Sequence, residues 1–135
     1  MEKKLILGTL GGGIASTLIG GLIFAVVLAD QMKAWTEAAG SCANQEMPLL
    51  PGLLANFVMA FLLSILLNRS NVSTFQGGLL TAGWIAFLII LWFDLWMFAS
   101  FSIMTPKLMA MDLIGNTVTL ALSGGVIGWI FGKVK

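Results

Sequence analysis

The chain has 135 residues, of which 59% are hydrophobic and only 10% are charged, whereas a soluble domain carries about 25% charged residues. This composition predicts an integral membrane protein with the lipid bilayer as its surroundings, because the outer surface of a protein in lipid should be apolar. The net charge of +1 gives no electrostatic basis for binding nucleic acid.

The missing residue types exclude several kinds of catalytic and metal site. There is no histidine, and Cys42 is the only cysteine. A zinc site of the usual kind, an iron–sulfur cluster, a His-ligated haem and a Ser–His or Cys–His nucleophile pair are therefore excluded. We expect no metal, no cofactor and no enzymatic activity. An aspartate-based intramembrane hydrolase would need two acids facing each other at one depth, and Asp94 and Asp112 are only loose candidates for that role.

Four apolar runs predict an all-α, integral membrane four-helix bundle in one domain. Each run is long enough to cross the hydrocarbon core, which takes about 20 residues, and helices are required because lipid cannot satisfy exposed backbone groups. Short links make sequential helices antiparallel neighbours. The predicted helices cover about residues 5–29, 49–68, 75–104 and 108–132, with a polar outer loop at 30–48.

The first run has an alternative interpretation. Residues 1–29 combine a basic start, a long apolar stretch and Val27-Leu28-Ala29, which are features of a signal peptide. The apolar part of a signal peptide spans about 7–15 residues, and this run is longer and rich in glycine. We therefore expect a retained helix. Residues 33–39 are expected to extend it beyond the membrane or to lie along the membrane surface.

Small residues recur every four positions in the first and last helices, which lets helix backbones approach closely. Two such ridges lie on helix one and one on helix four: Gly12, Ser16 and Gly20; Gly13, Thr17 and Gly21; and Gly124, Gly128 and Gly132. One interpretation is packing of helix one against helix four within a single chain. The other is a homo-oligomer seam or docking onto a larger membrane complex, since two ridges on one helix exceed what a single neighbour uses.

Asp94 is the most informative single residue. A charged side chain near the centre of a membrane helix costs about 2.5–3.5 kcal/mol on insertion scales, so a compensating partner is expected. The predicted topology places five polar side chains from four helices in the outer half of the membrane: Asp30, Asn56, Asp94, Asp112 and Asn116.

A stripe of polar residues follows one face of helix four, where Asp112, Asn116, Thr119 and Ser123 are spaced four, three and four apart. Ser64 on helix two and Ser16 on helix one can continue it. In one interpretation the stripe holds the helices together by hydrogen bonds from which water is excluded, with Asp94 donating a hydrogen bond to Asn56 or Asn116. In the other it belongs to a proton or cation site, or to a polar pocket open to the outside.

Basic residues predict the orientation. Lys3, Lys4, Arg69, Lys133 and Lys135 lie on one side of the predicted membrane, and Lys33 and Lys107 lie on the other. The positive-inside rule then puts both termini in the cytoplasm and the loop with Cys42 outside.

An internal duplication is one explanation of two further matches. Residues 27–32 align with 92–97, and residues 53–58 align with 113–118, which pairs Asn56 with Asn116. A doubled two-helix unit would give parallel repeats about an axis along the membrane normal. Chance alignment of apolar segments built from few residue types is the competing explanation.

Four segments carry a resemblance to known sequences: Lys-Lys-Leu-Ile-Leu-Gly-Thr-Leu at 3–10, Val-Ser-Thr-Phe-Gln-Gly-Gly at 72–78, Phe-Asp-Leu at 93–95 and Gly-Gly-Val-Ile-Gly-Trp at 124–129. They resemble small uncharacterised membrane proteins of Bacteroidetes-type bacteria, and the layout is similar to the DUF1761 group of four-helix proteins. That group tends to carry aromatic residues at the end of helix one, where only Trp35 is comparable. The resemblance implies a multi-pass protein of the bacterial inner membrane and supplies no catalytic residues.

Two functions follow as hypotheses. The first is a non-enzymatic membrane protein that assembles with itself or with a larger membrane complex, based on the glycine ridges and the aromatic third helix. The second is a small permeation protein for protons, cations or polar solutes that uses Asp94 and the polar stripe. A water-accessible cavity that reaches Asp94 from outside would favour the second, and a dry bundle would favour the first.

Overall fold

The computed structural model describes residues 2–44, 46 and 48–134, and the regular secondary structure in these ranges is entirely helical. The segments in chain order are α1 (Glu2–Leu22), a π-helical segment (Ile23–Val27), α2 (Ala29–Ala39), a 3₁₀ turn (Gly40–Cys42), α3 (Leu49–Arg69), α4 (Phe75–Ser100) and α5 (Pro106–Lys133). Four stretches are long and apolar enough to span a membrane, namely Glu2–Val27, α3, α4 and α5. The predicted all-α membrane fold is confirmed.

The first membrane helix does not end in a simple loop. After the π-helical segment, Leu28 leaves helical geometry with φ −107° and ψ 22°, and α2 then continues to Ala39. Much of the expected outer loop 30–48 is therefore helical, in line with the extension expected at 33–39. Gln45 and Met47 of that loop, and Lys135 of the basic set, lie outside the described residues.

The turn between α4 and α5 is longer than expected. We predicted that the third membrane helix continues to residue 104, but α4 ends at Ser100 because Phe101 is extended. The following helix starts at Pro106, where the Thr105 hydroxyl accepts a hydrogen bond from the Leu108 N–H at 3.2 Å. A residue before proline prefers extended geometry, and an N-cap threonine also needs it, so residues 101–105 serve as the turn.

Helix α5 is the centre of the bundle. It packs against α4 and α1 and, less extensively, against α3, while α1 also packs along α3. The fully buried apolar side chains Leu63, Leu67 and Ile127 lie in the core between these helices. In water, burying one methylene group would contribute about 0.8 kcal/mol to stability. In lipid this contribution is lost, and close packing of side chains holds the helices together instead.

The bundle has two ends, which differ in the segments that lie there. The α2 end holds α2 and the turn 101–105. The terminal end holds the first and last described residues, Glu2 and Val134, and the turn 70–74. The helices form two antiparallel hairpins, α1–α3 and α4–α5, joined mainly by α1 against α5. This layout is compatible with a doubled two-helix unit, which stays a prediction.

The outer surface of the bundle is apolar. The indole rings of Trp84, Trp92 and Trp96 on α4 are exposed by 60–67% of their surface, and Trp129 by 55%. Large exposed apolar side chains are a liability in water but are ordinary lipid-facing residues in a membrane.

Candidate functional site

Asp94 lies on the inner face of α4. Its side chain is fully buried, with 0% exposure, and among the described residues neither carboxylate oxygen has a hydrogen-bond partner. Buried polar groups almost always have a partner, and an unpaired one is costly in a low-dielectric interior. Among the described residues, Asp94 is therefore the fully buried ionisable side chain that lacks a hydrogen-bond partner.

The ionisable neighbour of Asp94 is Asp112 of α5. Asp94 lies six residues before the end of α4, and Asp112 lies six residues after the start of α5, so the antiparallel hairpin brings both to one depth. At about 1.5 Å per residue, that depth is about 9 Å from the helix ends. The carboxyl group of Asp112 acts directly on that of Asp94, and the amide of Asn116 lies beside Asp112. We call Asp94 and Asp112 the acid pair.

Two members of the expected five-residue polar cluster lie elsewhere. Asn56 donates a hydrogen bond to the Thr17 hydroxyl at 3.3 Å, which ties α3 to α1. Asp30 is exposed on α2 and lines a surface cleft. The expectation that Asp94 donates to Asn56 was wrong, because α1 and α3 form a hairpin of their own. The amide of Asn116 lies beside Asp112 and makes no hydrogen bond with Asp94.

The rest of the polar stripe is buried between helices and is largely hydrogen-bonded to backbone. Thr119 and Ser16 donate to carbonyls of their own helices, Gly115 at 2.8 Å and Gly13 at 3.2 Å. The hydroxyl of Ser123 crosses from α5 to the Gly12 carbonyl of α1 at 2.8 Å. Ser64 is fully buried, and its hydroxyl has no partner among the described residues. Of these residues, only Ser123 therefore links two helices by a hydrogen bond.

The glycine ridges are used within the chain. A Cβ added at Gly12 would meet Ile127 of α5, and one added at Gly13 would meet Phe57 of α3. The two ridges of α1 therefore contact two different helices of the same chain, α5 and α3. The interpretations drawn from the sequence included only one neighbour within the chain.

The remaining glycines of the ridges also lie against neighbouring segments of the chain, with the exception of Gly21. The residues that an added Cβ would meet first are Thr119 at Gly20, Ala82 at Gly124, Thr74 at Gly128 and Ser73 at Gly132. Gly21 has nothing within 4 Å of an added Cβ. Its assignment to packing within the chain was wrong, because at its depth α1 presents this position away from both α3 and α5. Its role in contacts with another copy or a larger complex stays a prediction.

A narrow groove beside the acid pair was not predicted from the sequence. Its lining is six apolar side chains, one amide and one carboxyl group: Phe24, Leu28, Met32, Trp35, Leu108, Met111, Gln31 and Asp112. We call it the acid groove. Phe24 and Leu28 pack over Gly115, where an added Cβ would meet both side chains. The sequence signal that was available is the equal distance of Asp94 and Asp112 from the α4–α5 turn.

A wider cleft lies next to the acid groove at the α2 end. Asp30, Gln31 and Ala34 of α2 form one wall, and Ser102, Thr105 and Lys107 contribute to the other. Gln31 and Leu108 line both the cleft and the acid groove. The cleft therefore adjoins the groove at the α2 end.

The acid pair does not extend to a metal-binding cluster. Among the residues that the structure describes, no three His, Cys, Asp or Glu side chains form a group that could hold a metal ion. Two carboxyl groups and two nearby amides can bind a proton or a singly charged cation by charge and hydrogen bonding.

Comparison with known proteins gives one match. The family model described as "Protein of unknown function (DUF1761)" matches residues 7–128, which is most of the chain. The expected similarity to this group is thereby confirmed. Neither the curated proteins nor the solved structures contain a match to the chain.

Proposed function

The chain belongs to the DUF1761 family of proteins of unknown function, and from that premise we propose that it is a membrane protein that binds a proton or monovalent cation at the acid pair. The observation that carries the proposal is the fully buried Asp94 carboxyl group, which has Asp112 beside it and no hydrogen-bond partner among the described residues. Intramembrane acids often mark ion pathways and proton relays.

The physical basis is repulsion between like charges. Two neighbouring carboxylates in a low-dielectric environment disfavour double ionisation, and a proton or cation between them removes the repulsion. Asn116 adds an amide beside Asp112, which can donate to one carboxylate while its oxygen accepts from a bound ligand. The pair therefore has the chemistry to hold one positive charge at a time.

Access is proposed from the α2 end. The cleft with Asp30 and Lys107 adjoins the acid groove through Gln31 and Leu108, and Asp112 lines the groove. Asp94 is fully buried and lines neither the groove nor the cleft, so access to it passes Asp112. Toward the terminal end, backbone of α4 and α5 meets closely at Gly78 and Gly124. This packing supports exchange of the ligand with one side of the membrane.

The proposal places the protein in the bacterial inner membrane, with both termini cytoplasmic and the α2 end outside. Its support is the distribution of basic residues. Lys3, Lys4, Arg69 and Lys133 lie at the terminal end, whereas Lys33 and Lys107 lie at the α2 end. The acid pair then exchanges with the external medium.

Infrared spectroscopy of the chain reconstituted in bilayers tests proton binding. We expect the carboxylic-acid C=O stretching band in the pH difference spectrum to contain a component that is lost in Asp94→Asn, because that variant removes one of the six acids of the chain and one acid of the pair. The matched control is Glu37→Gln, which removes an exposed acid of α2 and should retain that component. A spectrum that is identical in the parent chain and in Asp94→Asn would contradict the proposal.

Permeation of protons or cations through the whole bundle is a stronger form of the same proposal. It requires flux into liposomes that carry a pH-sensitive or cation-sensitive dye, and that flux should disappear in Asp94→Asn. A parent chain that shows the infrared band without flux would restrict the function to binding.

Self-association or docking onto a larger membrane complex is a second proposal. It is supported by the α4 surface, where Trp84, Trp92 and Trp96 are all more than half exposed, since aromatic residues are enriched at protein interfaces. Native mass spectrometry from mild detergent tests it. A strictly monomeric chain without co-purifying partners would contradict it.

A further inference from the structure

The cleft at the α2 end and the acid groove differ greatly in size. The cleft beside Asp30 and Lys107 has a volume of about 370 Å³, whereas the acid groove that adjoins it has a volume of about 10 Å³. A cavity of about 10–15 Å³ has room for one water molecule. Hydrated ions therefore fit into the cleft, but the groove beside Asp112 admits one water molecule at a time.

The walls of the groove cannot replace the hydration shell of a metal cation. The polar side chains in its lining are those of Gln31 and Asp112, and the other six are apolar. Ion-selective channels admit a cation by replacing its water with rings of carbonyl oxygen atoms, and an ion that loses its water without such replacement is strongly destabilised. Asp94 is fully buried and does not line the groove, so its oxygen atoms are not available at the entrance.

A proton needs neither a hydration shell nor more room than one water molecule, because it moves along hydrogen bonds between oxygen atoms. A hydronium ion in the cleft gives a proton to the water molecule in the groove and is left as neutral water. The water molecule in the groove gives one of its own protons to the Asp112 carboxylate, where a new O–H bond forms. The carboxylate of Asp94, which lies beside Asp112, then takes the proton from it.

We propose that the acid pair takes up protons alone, and that the acid groove excludes sodium and potassium ions because it admits one water molecule at a time between mainly apolar walls. This inference rests on the proposed function, and it narrows the ligand of the same site from a proton or monovalent cation to the proton. The acid groove is then a size and dehydration filter in front of Asp112, and Asp94 receives only what Asp112 passes on.

The charged groups around the route do not favour metal cations either. Asp30 and Lys107 of the cleft have opposite signs, so they give no net attraction for cations. The π-helical segment and Leu28, which pack over Gly115, contain no ionisable residue. The other ionisable residues of α1, α2 and α3 lie at the terminal end or on exposed positions outside both openings, and they are Glu2, Lys3, Lys4, Lys33, Glu37 and Arg69. Among the described residues, the acid pair is therefore what a proton from the groove reaches.

Infrared titration of the full chain reconstituted in bilayers tests this selection. The measured quantity is the midpoint pH of the carboxylic-acid component that is lost in Asp94→Asn. N-methylglucamine chloride is replaced by sodium chloride or potassium chloride at constant ionic strength, which keeps the screening of charges unchanged. Over about a hundredfold range of sodium or potassium, the midpoint should move by less than about 0.2 pH units, whereas a competing cation at about ten times its dissociation constant would lower it by about 1 pH unit.

A variant with a wider groove tests whether the groove is the filter. Phe24 lines the groove and packs over Gly115, so Phe24→Ala should admit hydrated ions and let sodium and potassium lower the midpoint by about 0.5 pH units or more. Val26→Ala is the matched control, because Val26 belongs to the same π-helical segment but is exposed outside the groove. Circular dichroism and gel filtration check folding, and Leu28→Ala takes the place of Phe24→Ala if that variant does not fold.

The results separate this inference from the proposed function. A midpoint that falls with sodium or potassium in the parent chain would overturn the inference and leave the acid pair as a cation site. A midpoint independent of both ions in the widened variants would show that the groove is not the filter. If the parent chain has no Asp94-dependent component, the proposed function itself is overturned.

Discussion

At the scale of single residues, the hydroxyl groups of the stripe differ in what they connect. Ser123 donates to the Gly12 carbonyl on another helix, whereas Ser16 donates to Gly13 on its own helix. Both side chains are buried, at 0% and 1% exposure. Replacing Ser123 with alanine therefore removes a hydrogen bond between two helices, whereas replacing Ser16 removes only a hydrogen bond within α1.

We predict that Ser123→Ala lowers the free energy of unfolding by about 0.6 to 1.7 kcal/mol, the range measured for side-chain hydrogen bonds in a membrane bundle. Ser16→Ala is the control and should lower it less, because α1 retains its contact with α5. Unfolding of the purified chain in mixed micelles, followed by circular dichroism, measures both. Equal losses in the two variants would show that the Ser123 bond does not stabilise the bundle.

Residue-scale prediction from the sequence succeeded for Asp94 in one respect. The cost of a carboxyl group in lipid requires that it face protein, and the side chain is fully buried. Its partner was assigned incorrectly to the amides, because depth alone cannot distinguish Asn56, Asn116 and Asp112. The distinction depends on which face of α5 meets α4, and that is set by tertiary packing.

At the scale of helices, the close approach of α4 and α5 depends on Gly78. A Cβ added there would collide with backbone at Gly124, which cannot move independently of its helix. Gly21 of α1 is also helical, but nothing lies within 4 Å of an added Cβ. The two positions therefore have the same local geometry and opposite packing environments.

We predict that Gly78→Ala lowers the free energy of unfolding by about 1 to 3 kcal/mol, which is the usual cost of overpacking. Gly21→Ala should leave it unchanged or raise it, since alanine favours a helix more than glycine does. Thermal unfolding monitored by gel filtration in detergent compares the pair. A Gly78→Ala variant that is as stable as the parent chain would show that α4 and α5 can move apart without a loss of stability.

Helix existence could be predicted from hydropathy, whereas helix ends and irregularities could not. The apolar runs specify four spans because lipid permits only internally bonded backbone. The π-helical segment at Ile23–Val27 has no distinguishing composition, since isoleucine, phenylalanine, alanine and valine suit either helix type. The groove between α2 and α5 is lined by Phe24 of that irregular segment and by Leu28 after it. Its shape could therefore not be predicted from the sequence, although the equal distance of the two acids from the turn could be.

At the scale of the whole molecule, the position of α2 relative to the membrane determines which compartment reaches the acid pair. Cys42 is exposed at the α2 end and is the only cysteine, so it reports orientation directly. Ser70 is exposed in the turn at the terminal end and offers a matched position on the opposite side.

We predict that a membrane-impermeant maleimide added to intact cells labels Cys42, because the excess of basic residues retains the terminal end in the cytoplasm. A Ser70→Cys chain in a Cys42→Ser background should be labelled only after the membrane is permeabilised. Mass spectrometry of the purified chain quantifies the adduct. Labelling of Ser70→Cys alone in intact cells would place the acid pair on the cytoplasmic side.

The position of the two acids beside one short turn also bears on biogenesis. Helices α4 and α5 are consecutive in the chain, so they emerge from the ribosome one after the other and can enter lipid as a pair. Each acid then meets its counterpart during insertion, when a lone carboxylate would face hydrocarbon at a cost of about 2.5–3.5 kcal/mol. We therefore expect that a nascent chain stopped at the turn 101–105, with α4 alone, inserts less completely than one that includes α5.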